Sequence, residues 1–91
     1  MADIAPALGL PASETHARLA KIVVAHLGGT AEQVTADTDL AEDLNADSLD
    51  LFEIGMAAEE EFGIQLDDDE IAGFRTVGDA VKLIDQRTGR A

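Results

Sequence analysis

The stretch that decides the fold is EDLNADSLDLFEIGMAAEEEFGI, residues 42–64. A polar run leads to Asp47 and Ser48, and no proline breaks the chain from there to Gly63. Asp and Ser are favoured at helix starts because their side-chain oxygens accept the free N–H groups of the first turn. Glycine suits the residue after a helix because it adopts the left-handed backbone easily. The stretch therefore predicts a helix that begins at Asp47 or Ser48 and reaches about Phe62.

At about 100° per residue, Leu51, Ile54, Ala58 and Phe62 gather on one side of that helix, with Gly55 at its edge. This is the expected core face. On the opposite side lie Leu49, Phe52 and Met56, flanked by Asp50, Glu53, Glu59 and Glu60. A helix that only built a core would need one apolar face. The second face, ringed by acids, reads as a docking patch in which apolar centres give contact and charged rims give steering. A plainer reading covers Phe52 and Met56 with the long loop or the N-terminal extension and leaves the acids as a solvated face. Three outward apolar residues together favour docking.

Upstream, Ser13 is a candidate N-cap for a helix over Glu14 to Leu27, whose Leu19, Ile22, Val23 and Leu27 recur at helical spacing. Gly28 ends it. A long acidic connection, roughly 30–47, comes next, with Val34, Leu40 and Leu44 as anchors into the core. Such length is often functional. Downstream, LDDDEIAGF holds a short helix around Asp68 to Ala72. TVGDAVKLIDQRTG then opens with Thr76 and Asp79 at capping-box spacing, buries Val77, Ala80, Val81 and Ile84, and stops at Gly89. No strand-like alternation appears. The expected fold is all-α, a small four-helix bundle of three main helices and one short one, with a long loop between the first two main helices. Residues 1–12 read as a flexible extension and 13–88 as the folded domain.

Composition narrows the function. The chain has 91 residues, enough for one modest core, and no cysteine, which removes disulfides and thiolate metal sites. A formal charge of −13 excludes nucleic acid and anionic membrane as natural partners and points to basic proteins or cations. No apolar run reaches membrane-spanning length, and the N-terminus lacks the basic region of a signal peptide. The expected compartment is the cytosol.

Ser48 then admits three chemistries. A nucleophile would need an oriented base. The two histidines, His16 and His26, both fall in the first helix, and no nucleophile elbow surrounds the serine. Calcium binding finds Asp43, Asn45 and Asp47 at the first three ligand positions of an EF-hand loop, but Ser48 replaces the required glycine and Ile54 the bidentate glutamate. No specific metal site is expected, only weak cation binding. The third chemistry is a phosphate ester, since the first turn of a helix offers N–H groups and the positive end of its dipole to an anion.

Here the local pattern becomes specific. Asp-Ser-Leu at 47–49, with DLNA before it and DLFEI and EEEFGI after it, resembles the acyl carrier protein family. The resemblance runs from about Ser13 to Ile84 and includes VTADTDLAEDL and TVGDAV. It implies that Ser48, between Asp47 and Leu49, carries a covalent 4'-phosphopantetheine, transferred from coenzyme A by a separate magnesium-dependent phosphopantetheinyl transferase (holo-carrier synthase). The arm's thiol would hold acyl groups as thioesters, so the chain would be a carrier without catalytic residues of its own.

The resemblance also implies recognition through Asp47, Leu49, Asp50, Phe52, Glu53, Met56, Glu59 and Glu60 by ketosynthases, acyltransferases and other enzymes of fatty-acid, polyketide or specialised lipid synthesis. The chain itself would be a monomer. Gly55 and Ala58 stand where the family commonly has larger aliphatic residues. An acyl pocket lined by Leu51, Ile54, Gly55, Ala58, Phe62 and Phe74 is one reading; a large neighbour such as Phe74 or Phe62 filling the gap is the other. QLDDDE lacks the proline common at that point, and with Gly73 it predicts a region able to open. A peptidyl or aminoacyl carrier, or an acidic cation-binding adaptor without a prosthetic group, are the alternatives; EEEFGI favours acyl cargo.

Overall fold

Three long helices and one short one make up the computed structural model, which describes residues 14–89. The extension, residues 1–12, and the candidate cap Ser13 lie outside the described residues. Helix α1 spans Glu14–Leu27, α2 Ser48–Phe62, the short α3 Asp68–Ala72 and α4 Val77–Thr88. Among the described residues there is no β-sheet, and no helix is long and apolar enough to cross a membrane.

The boundaries reflect local chemistry. Gly28, Gly63 and Gly89 come after α1, α2 and α4 with φ of 90°, 67° and 81°, the left-handed backbone that closes a helix without strain only at glycine. Two reciprocal caps start α2 and α4. Asp47 Oδ1 accepts the Asp50 N–H at 2.9 Å while Asp50 Oδ2 accepts the Asp47 N–H at 3.0 Å. Thr76 and Asp79 repeat the arrangement at 3.1 Å in both directions, so aspartate replaces the usual glutamate of a capping box.

α1 packs on α2 and α4, and α3 packs on α2. Leu19, Val23, Ile54, Val77 and Ile84 form the centre of the core, and Val34 and Leu40 enter it from the long connection. The half-buried Leu44, Ile22, Leu27 and Val81 pack around them. Thr15, not among the expected core residues, is buried and donates to Asp85 Oδ1 at 2.6 Å, tying the start of α1 to the end of α4. The hydroxyl is tolerated there because a carboxylate meets it.

The connection is more ordered than its composition suggests. A 3-10 turn forms over Ala31–Gln33, and Asp39 pairs with Thr76 in an isolated antiparallel bridge. Leu40 N donates to Arg75 O at 2.9 Å, Val77 N to Thr38 O at 3.0 Å and Gly78 N to Ala36 O at 2.9 Å. A Cβ at Gly78 would sit 3.0 Å from Ala36 O, so glycine is what permits this approach. The segment before Ser48 is thereby registered against the start of α4.

Candidate functional site: an exposed serine and an acidic ridge

Ser48 is the first residue of α2 and is exposed. Its position is fixed from both sides. Ala46, two residues before it, is buried and donates its N–H to Leu40 O at 2.9 Å. Asp47 spends one carboxylate oxygen on the Asp50 N–H, and its carbonyl accepts from Leu51 N at 3.0 Å. The N–H groups of Ser48 and Leu49 belong to the first turn, where no intrahelical carbonyl is available to them. A hydroxyl in this place can take a phosphate ester, whose charge would meet those N–H groups and the helix dipole. The hydroxyl is open to solvent, and the residues present fit a phosphate-linked arm.

The loop that delivers the serine turns on Asp39. Its Oδ1 accepts the Glu42 N–H at 2.8 Å and the Ala41 N–H at 3.0 Å, and its Oδ2 lies 3.5 Å from Arg75 Nε. The Glu42 N–H, with that of Ala41 and the Arg75 guanidinium, holds the Asp39 carboxyl below the usual carboxylate range against the opposing effect of burial. Asp43 Oδ2 accepts the Asp39 N–H at 2.8 Å. Asp43 and Asp47, two of the three EF-hand-like positions, are thus each committed to a backbone N–H. Among the described residues no group of three or more His, Asp and Glu side chains is placed to hold a metal ion.

The outward face of α2 differs from its helical-wheel reading. Leu49 and Met56 are exposed at 65% and 57%. Phe52 is not outward: it is half-buried and packs against the core. Of the three residues on the outward side it stands nearest the core face, and a long aromatic side chain there gains more by leaning inward. Glu59 also leaves the rim, since its Oε2 accepts the Leu66 N–H at 2.8 Å and organises the turn after α2. Asp50 is half-buried in the cap. Glu53 and Glu60 remain exposed beside Met56.

A shallow groove of about 220 Å³ runs along this ridge, lined by Glu53, Met56, Ala57 and Glu60 of α2 and by His26 of α1. His26 and Ala57 were not apparent from sequence as part of this surface. His26 is in the last turn of α1, and its Nδ1 donates to Ile22 O at 3.1 Å, which fixes the ring.

The inner face of α2 carries Ile54, Gly55 and Ala58, all buried, with Leu51 and Phe62 half-buried. Phe74 is buried in the same apolar cluster. The space beside Gly55 is filled, and its nearest atoms come from Ile71 and not from a phenylalanine. A Cβ at Gly55 would lie 2.6 Å from Ile71 Cδ1 and 2.8 Å from Ile71 Cγ1, so the α3 side chain occupies the missing methyl's place. Phe62 instead lies under the Arg18 guanidinium, 4.5 Å from ring centroid to Cζ, while Arg18 also bonds Glu61.

Comparison with known proteins converges on the same serine-bearing domain. The model of the family described as "Phosphopantetheine attachment site" matches residues 17–84. A solved structure of acyl carrier protein from Enterococcus faecalis is 36% identical, covers 81% of this chain and 94% of that one, and superposes with a TM-score of 0.70. The described fold, the capped and solvent-open start of α2 and a match over three quarters of the sequence agree, and the chain belongs to the phosphopantetheine-attachment family of carrier domains.

Proposed function

We propose that this protein is an acyl carrier whose Ser48 oxygen bears a 4'-phosphopantetheine. When bound, that arm supplies a thiol able to hold acyl groups as thioesters. The observation that carries the reading is the placement of Ser48: an exposed hydroxyl on the first residue of α2, inside Asp-Ser-Leu and inside the matched span 17–84. Asp47 and Leu49 flank the linkage, Asp47 by setting the helix start and Leu49 by offering an apolar contact beside it. Likeness to an acyl carrier protein at 36% identity supports acyl over aminoacyl cargo. The domain is assigned to residues 13–88, acting as a monomer in the cytosol.

The ridge beside Ser48 is the handle for partner enzymes: the transferase that installs the arm, then ketosynthases, acyltransferases and other acyl-processing enzymes. Glu53 and Glu60 ring the groove at Met56 and Ala57, with Leu49 further up the ridge; Asp50, Phe52 and Glu59 support its shape. A carrier visits several enzymes in turn, so contact must be brief. Acidic steering gives fast encounter, and a small apolar centre keeps release fast. Leu51, Ile54, Gly55, Ala58, Phe62 and Phe74 supply the inner surface against which an acyl chain would shelter.

Intact-mass measurement after incubation with coenzyme A and a phosphopantetheinyl transferase tests the assignment. The protein is expected to gain one phosphopantetheinyl unit and Ser48→Ala none. Modification that persists in Ser48→Ala would move the site elsewhere, and none in the parent chain would remove the carrier reading.

A further inference from the structure

The short helix α3 is held from two directions. On one side Ile71 seats against the bare backbone of Gly55 in α2. On the other, Arg87 reaches over from α4. Its Nη1 donates to Gln65 O and to Glu70 Oε1, each at 3.0 Å, and its Nη2 pairs with Glu70 Oε2. Glu70 serves twice, since Oε1 also accepts the Asp67 N–H at 2.9 Å and so caps α3 itself. One guanidinium therefore fastens both the turn before α3 and the helix proper to the last helix. The Arg87 bonds, followed by the Asp67 N–H, hold the Glu70 carboxyl below its usual range, as a formed pair would.

We propose that Arg87 is a latch that sets how readily α3 lifts from Gly55, and thereby how well the bundle shelters a tethered acyl chain. The inference deepens the acyl-carrier reading and rests on it for its second half. The geometry suits a latch better than a rivet. Arg87 and Glu70 are partly exposed, with 36% and 26% of their side chains open, so water and salt compete for the pair. The Ile71 contact is apolar and non-directional, so the side chain can leave and return as a unit. When it leaves, the space beside Gly55 opens between α2 and α3, next to Ile54 and Ala58. α1 and α4 meanwhile remain joined by Thr15 and Asp85, so the frame need not move with α3.

Amide hydrogen exchange on the unmodified full chain reads the latch directly. In Arg87→Ala, the amides of Ile71, Gly73 and Phe74, which bond to Asp67 O, Asp69 O and Ile71 O, are expected to exchange about fivefold faster, the scale of one well-formed charged pair. Those of Leu19, Val23 and Ile84 should keep their protection. Glu70→Gln keeps an oxygen for the Asp67 N–H but loses the charge, and should reproduce the effect; Arg87→Lys should fall between. Unchanged exchange in α3, or an equal rise at every amide, would overturn the latch.

For the second half, octanoyl and acetyl thioesters carried at Ser48 are cleaved with hydroxylamine. Arg87→Ala is expected to speed cleavage of the octanoyl form and leave the acetyl form unchanged. Equal rates for wild type and variant would overturn the sheltering role. Failure to load Ser48 at all would strike the carrier assignment, while the exchange result would still decide the latch.

Discussion

Gly55 fixes what its helix can pack against. Alanine there would gain about 0.5–1 kcal/mol of helix propensity, but its Cβ would meet Ile71 Cδ1 at 2.6 Å and Cγ1 at 2.8 Å. Forcing an extra methyl into a fitted interior costs about 1–3 kcal/mol, so steric loss outweighs the backbone gain. Gly55→Ala is expected to lower urea stability by roughly 1 kcal/mol, the difference of those two ranges. Ile71→Val deletes the nearest atom, and by itself costs about 0.5–1.5 kcal/mol. In the Gly55→Ala background the same change should recover part of the loss, since it removes Cδ1 but leaves the atom at the Cγ1 position 2.8 Å away, so the two substitutions are expected to be non-additive in a double-mutant cycle. The glycine was visible in the sequence as a position needing compensation. Its partner was not, because helical periodicity relates residues within an element and says nothing of what crosses from another. Phe52 fell to the same limit: its angle placed it on the outward side, and the packing of a long side chain turned it partly inward.

The Asp39 turn carries a pH dependence of its own. Its carboxyl titrates below the ordinary aspartate value because the folded turn supplies N–H groups and Arg75 to the charged form. A carboxyl depressed on folding contributes stability that is fully present above the unfolded value, about 3.9, and is lost as pH falls through the lower folded value. Asp39→Asn is therefore expected to be less stable than the parent at pH 7, and the two urea curves should converge in acid. A gap that stays constant across the titration would mean that the turn does not depend on this charge. Helices were legible because their caps are local: Asp47, Thr76 and the glycines that follow α1, α2 and α4 announce themselves within a few residues. The connection was not, because its order comes from backbone bonds between residues 36–40 and 75–78. Gly78 was the available signal, a small residue where two backbones approach, yet nothing in TVGDAV names Ala36 as its neighbour.

Taken whole, the molecule sets two electrostatic demands against each other. A net charge of −13 on a chain of 91 residues strains the folded state through self-repulsion. In the function proposed above, the same field would draw basic partners to the α2 ridge. Salt screens both, so the two effects should respond in opposite directions. Thermal unfolding is expected to shift upward as sodium chloride is raised, while the association rate with a basic phosphopantetheinyl transferase falls. Association that ignores salt would remove the steering role, and unfolding that ignores it would show that the acids are already compensated. The ridge itself is a composite. Four of the five residues around its groove come from one helix, but His26 closes it from another. A synthetic peptide copying residues 48–62, even when stapled into perfect helicity, would present one wall and no opposite bank. With the ridge acting as the handle proposed above, inhibitors designed to mimic the carrier would need to span two helices, as a hairpin or a grafted miniprotein does, before they competed for its enzymes.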